Sequence, residues 1–73
     1  MEKHNYPITF MYNREGTLVE WKTIIKSGKR DFEIRTGYIK FNDKIDVPDE
    51  DGLAEIVSAY LNGDDVSGIQ ISG

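Results

Sequence analysis

Thr17-Leu18-Val19-Glu20-Trp21-Lys22-Thr23-Ile24-Ile25-Lys26 is the stretch whose reading decides the fold. Apolar and charged residues alternate along it with a period near two, the pattern of a strand with one buried face. Val19, Trp21 and Ile25 share one parity and Ile24 takes the other, so the alternation slips around Thr23. A bulge or strong twist is expected there. On the N-terminal side, Tyr6, Ile8, Phe10 and Tyr12 also alternate, which predicts a strand over 6–12 with Pro7 at its start or on an edge. Between the two strands, Asn13-Arg14-Glu15-Gly16 carries Asn first and Gly last, as a type I turn closing a hairpin does.

On the C-terminal side, Ser27-Gly28-Lys29-Arg30 makes a second turn and residues 31–41 a third strand. Phe32 and Ile34 have the opposite parity to Ile39 and Phe41, with Thr36-Gly37 between the pairs. One bulge at Gly37 would bring all four to a single face. On that reading Trp21 and Phe32 fill the core. Ile45 and Val47 predict a short fourth strand over 44–47, after the tight pair Asn42-Asp43.

Pro48-Asp49-Glu50-Asp51 then opens a helix over 50–62, with acids at the positive end of its dipole. Leu53, Ile56, Val57, Tyr60 and Leu61 form one apolar stripe, and Asn62-Gly63 is a C-terminal stop. Val66, Ile69 and Ile71 predict a last strand over 66–71, placed beside the first if the helix carries the chain back across the sheet. The expected fold is a single α+β domain over residues 1–73. Its order is β-β-β-β-α-β, with the helix packed on one face of an antiparallel meander.

Seventy-three residues bury a thin core, and with no cysteine there is no disulfide or thiolate metal site to reinforce it. A homodimer is an expected source of extra stability. The lone His4 has no ligand partners at metal-binding spacing, and neither a metal nor a cofactor is expected. No apolar run reaches membrane-spanning length, and the N-terminus does not read as a signal peptide, so a cytoplasmic location is expected.

The net charge of −4 hides a division. Residues 1–40 carry eight Lys/Arg against five acids, whereas residues 41–73 carry Lys44 against eight acids. Two surfaces of opposite sign follow. On the sheet face that one helix leaves uncovered, Lys22, Lys26, Arg35, Tyr38 and Lys40 are expected, with Lys29 and Arg30 at the turn beside them. Strand-borne cations with an interleaved aromatic hold single-stranded nucleic acid through phosphate contacts and base stacking. The acids Asp46, Asp49, Glu50, Asp51 and Glu55 form the second candidate surface, suited to a basic protein partner. Solubility and helix capping also explain these charges. No nucleophile–base pair, catalytic triad or phosphate-binding loop is present, so an enzyme is not expected.

Asp31-Phe32-Glu33-Ile34-Arg35-Thr36 resembles the aromatic-acid-Ile-Arg strand motif of the positive-cofactor-type transcriptional coactivators, which bind single-stranded DNA. Lys44-Ile45-Asp46-Val47, the acidic segment Pro48 to Asp51 and the Leu53–Leu61 stripe follow in that family's order, so the likeness spans residues 31–61. It implies a curved four-stranded sheet, dimerisation through the helix and DNA on basic strands, with Arg35 as the carried-over contact. Thr36-Gly37 stands where that family has an aromatic, and residues 66–71 are additional. Together these features point to a small accessory domain that docks on or inhibits a host protein, of the kind that phages and mobile elements encode. The alternative is a single-stranded nucleic-acid-binding module using the basic sheet face.

Overall fold

The computed structural model describes residues 7–26 and 28–73. The expectations for His4, Tyr6 and Ser27 lie outside them. Three strands form an antiparallel meander: β1 (Ile8–Tyr12), β2 (Leu18–Lys26) and β3 (Phe32–Lys40). A helix, α1 (Glu50–Leu61), and a short strand, β4 (Gln70–Ser72), follow. The sheet order is β1-β2-β3-β4, so this is an open antiparallel sheet with one helix, an α+β fold.

The first turn is built by Asn13. Its backbone N–H donates to Leu18 O (2.9 Å) and its carbonyl accepts from Gly16 N–H (3.1 Å). Its side-chain Oδ1 accepts from the N–H groups of Thr17 and Leu18. Gly16 takes φ +76°, a conformation that disfavours any residue with a Cβ.

Neither expected bulge forms. Ile8↔Thr23 through Tyr12↔Val19 is an unbroken register, as is Leu18↔Lys40 through Lys26↔Phe32. Thr23 takes a core-facing position, 1% exposed, because its hydroxyl donates to Pro7 O at 2.9 Å. A satisfied hydroxyl can be buried at little cost, so the strand need not slip to hide Ile24.

Gly37 has a different task. It lies opposite Trp21, and a Cβ there would stand 2.6 Å from the Trp21 ring carbon Cζ2 and collide with the Ser72 carbonyl. The missing side chain makes room for the indole; it does not kink the strand. With the register continuous, Phe32 and Ile34 fall on the face away from the helix. Phe32 is 64% exposed, which overturns its expected place in the core.

The core consists of Val19, Trp21, Ile39, Leu53 and Val57, all fully buried. Ile8, Phe10, Ile56, Tyr60 and Leu61 pack around it. Tyr60 meets Trp21 edge-on, with centroids 6.2 Å apart and planes at 68°, a favoured aromatic geometry. The predicted helical stripe is therefore the helical half of the core. Asp49 caps α1 by accepting from Gly52 N–H at 2.9 Å. Gly63, at φ +80°, follows the C-cap residue Asn62.

Two expected strands are corrected. Lys44–Asp46 is a 3-10 turn, not a strand. The Asp43 side chain accepts from Ile45 N–H, which winds the backbone and leaves Ile45 81% exposed. The final strand pairs with β3, not with β1. Gln70 lies opposite Lys40, where β3 ends. The excursion through α1 thus returns to its own starting edge, and β4 takes the nearest open strand instead of crossing the whole sheet.

Two stability effects follow. Gly37→Ala forces a methyl into the Trp21 ring and should destabilise by about 2–3 kcal/mol, read as a lower urea midpoint. Asp49→Ala removes the N-cap and should destabilise by about 1 kcal/mol. Asp51→Ala, on the exposed first turn, should stay within about 0.5 kcal/mol of the parent in the same assay.

Candidate functional site

Because directly opposed residues share a face, the two registers assign every strand side chain. The face away from α1 carries Thr9 and Met11 from β1 and Leu18, Glu20, Lys22, Ile24 and Lys26 from β2. From β3 it carries Phe32, Ile34, Thr36, Tyr38 and Lys40. Its long apolar members are well exposed: Met11 68%, Ile24 46%, Phe32 64%, Ile34 61% and Tyr38 47%. They fall in two groups along the face, Met11 with Tyr38 and Ile24 with Phe32 and Ile34.

The face has two ends. Ile24 lies opposite Ile34, and beyond them Lys26 lies opposite Phe32. At the other end Glu20 lies opposite Tyr38 and Leu18 opposite Lys40. Here an open groove of about 420 Å³ is lined by Leu18, Tyr38, Lys40, Gln70, Ile71 and Ser72. Lys22 and Thr36 separate the two ends. Three lysines against one glutamate leave this face net positive.

Glu20 and Tyr38 interact. The phenol donates to the Glu20 carboxylate, and this hydrogen bond, reinforced by the carboxylate's charge, pushes the Tyr38 hydroxyl above its ordinary range. The Tyr38 ring lines the groove.

Of the residues expected here, Lys22, Lys26, Tyr38 and Lys40 do share the face. Arg35 does not. It lies opposite Thr23 on the helix-facing side and donates to the Gly73 carbonyl at 3.0 Å. The reason is again the missing bulge, which leaves Arg35 with the parity of Gly37 and Ile39. Lys29 and Arg30 are exposed in the β2–β3 turn. Sequence reasoning missed Met11, Ile24, Phe32 and Ile34. The signal was present: Ile24, Phe32 and Ile34 break parity together, and an antiparallel pairing without bulges puts all three on one face.

The acidic surface divides by role. Asp49 and Asp43 cap the helix and the 3-10 turn. Asp65 accepts from Ser67 N–H, and this hydrogen bond holds its carboxyl below the usual range. Asp46, Glu50, Asp51 and Glu55 are exposed, with Glu55 one turn beyond Asp51 on α1. Among the described residues, no group of three or more His, Cys, Asp or Glu is placed to hold a metal ion, and no helix is long and apolar enough to cross a membrane.

The Glu20–Tyr38 pair gives a pH signature. Glu20→Gln removes both the charge and the strong acceptor, so the Tyr38 phenol should ionise at lower pH than in the parent. Side-chain NMR of labelled tyrosine across the alkaline range checks this; an unmoved Tyr38 transition would contradict the pairing.

Comparison of the chain with family models, with curated proteins and with solved structures finds no match.

Proposed function

We propose that this chain is a non-enzymatic interaction domain, an accessory module that docks on another protein through the sheet face left uncovered by α1. The observation that carries this reading is that Met11, Ile24, Phe32, Ile34 and Tyr38 all lie on that face, each at least 46% exposed. Aliphatic side chains lack the π-face that base stacking uses. They gain by burial in a desolvated protein contact, where aromatics and Met are enriched and charges are pushed to the rim. Lys26 and Lys40 lie toward the two ends of the face and Lys22 between its two apolar groups, so an acidic partner surface suits it best. The capping roles of Asp43 and Asp49 weaken the case for the helical side, since those carboxylates are already engaged. Inhibition of a host protein by a mobile-element product is one use of such a module.

A photo-crosslinking residue placed at Met11 should trap a partner heavier than the chain itself, and one at Glu55 should not. Phe32→Ser should lower the yield from Met11 by at least about tenfold if Phe32 is a central anchor. Trapping from Glu55 alone would move the site to the acidic helix.

One observation favours single-stranded nucleic acid as a second reading. Phe32 is exposed beside Lys26, and Tyr38 is exposed on the same face as Lys22 and Lys40, which interleaves rings and cations as strand-binding sheets do. Three phosphate contacts predict that affinity falls about 20-fold between 50 and 200 mM salt. Fluorescence anisotropy with a labelled oligonucleotide measures this, and Phe32→Ala should remove about 1–3 kcal/mol of binding. No binding at low salt and micromolar protein would leave the protein-docking reading alone.

A further inference from the structure

The edge of β3 is half used. β4 pairs with Tyr38, Ile39 and Lys40, and among the described residues no strand lies beside Phe32–Thr36 on that edge. The hydrogen-bond phase is known. Phe41 N–H donates to Thr17 O (2.8 Å), continuing the β2–β3 register, so odd-numbered residues of β3 direct their backbone groups to β2. Alternate residues do the opposite, and Phe32, Ile34 and Thr36 therefore aim N–H and C=O outward. This edge has neither Pro nor Lys, and its inward-facing Glu33 and Arg35 carry opposite charges, so it can template a strand that pairs each of them with its opposite.

We infer that a second copy of this chain fills this edge, β3 against β3 antiparallel about a two-fold axis at Ile34. Only one register satisfies the residues present. Centred on Ile34, it sets Ile34 against Ile34 on the outer face and Phe32 against Thr36. On the inner face it sets Glu33 of each copy against Arg35 of the other. Centring on Glu33 or Arg35 opposes like charges, Glu33 against Glu33 or Arg35 against Arg35. Centring on Thr36 drives the incoming strand into β4, whose following residue, Gly73, lies against the Thr36 carbonyl. The Ile34 register ends at Phe32, where β3 itself begins. With Gly73 at each Thr36 carbonyl, it adds about four backbone hydrogen bonds and two charge pairs. Arg35 can keep its bond to Gly73 O while accepting Glu33 as a partner, since a guanidinium has several donors.

The axis stands perpendicular to the sheet, so the two outer faces join. Phe32, Ile34 and Ile24 of both copies then form one apolar strip, rimmed by Lys22 and Lys26 of each. The pairing does not depend on whether that strip takes a protein or a nucleic acid.

Sedimentation equilibrium from 1 to 500 µM tests it, with circular dichroism confirming the fold of each variant. The parent should reach twice the 8.3 kDa chain mass. Glu33→Arg alone and Arg35→Glu alone should each weaken association by about tenfold. The double variant E33R/R35E should restore it, because the cross-strand pairs re-form with reversed sign. Ile34→Pro should abolish association without unfolding the chain, since Ile34 N–H points away from β2. A parent that stays monomeric throughout, or a dimer indifferent to Ile34→Pro and to both charge reversals, would overturn the proposal.

Discussion

The structure depends on the seating of Trp21 over Gly37. The indole is fully buried, and no side chain other than hydrogen fits beneath it at the opposing position. Gly73 repeats the arrangement one strand further on, where a Cβ would also strike the ring. Tyr60 closes it from the helix. One large ring thus ties β2, β3, the end of β4 and α1 into one packing unit. Burying a side chain of this size, roughly 200 Å², is worth about 5 kcal/mol at the usual transfer coefficient. Among the described residues the indole Nε1 meets no acceptor, which costs about 1–3 kcal/mol, so burial still wins.

That seating has a consequence for the opposite face. β3 runs without a bulge past Gly37, which lies against Trp21, and the same unbroken register turns Phe32 and Ile34 away from the helix. Core and candidate site are therefore two results of one register. The fold keeps its largest core residue buried and leaves a smaller apolar set exposed.

The acidic half illustrates the opposite outcome. Its charges look like a binding surface in sequence, and several are local backbone devices in structure. Asp43, Asp49 and Asp65 each accept from a backbone N–H two or three residues ahead. Short polar side chains before a helix or turn do this routinely, and the pull of the dipole adds to it.

Residue patterns alone determined the helix, its caps, the three-stranded meander and the burial of Trp21. Each rests on neighbours within a few positions: the spacing of Leu53, Val57 and Tyr60, the Asn13–Gly16 turn, the alternation of Val19 and Trp21. Pairing determined the rest. Whether Thr23 faces the core depends on a carbonyl of Pro7, sixteen residues earlier. Whether Gly37 bends or flattens its strand depends on the residue opposite. The place of β4 depends on which edge the excursion through α1 returns to. A parity break in one strand cannot say whether a bulge will hide the odd residues or a partner will cover them. Only the register across three strands decided that Ile24, Phe32 and Ile34 stay together on the open face.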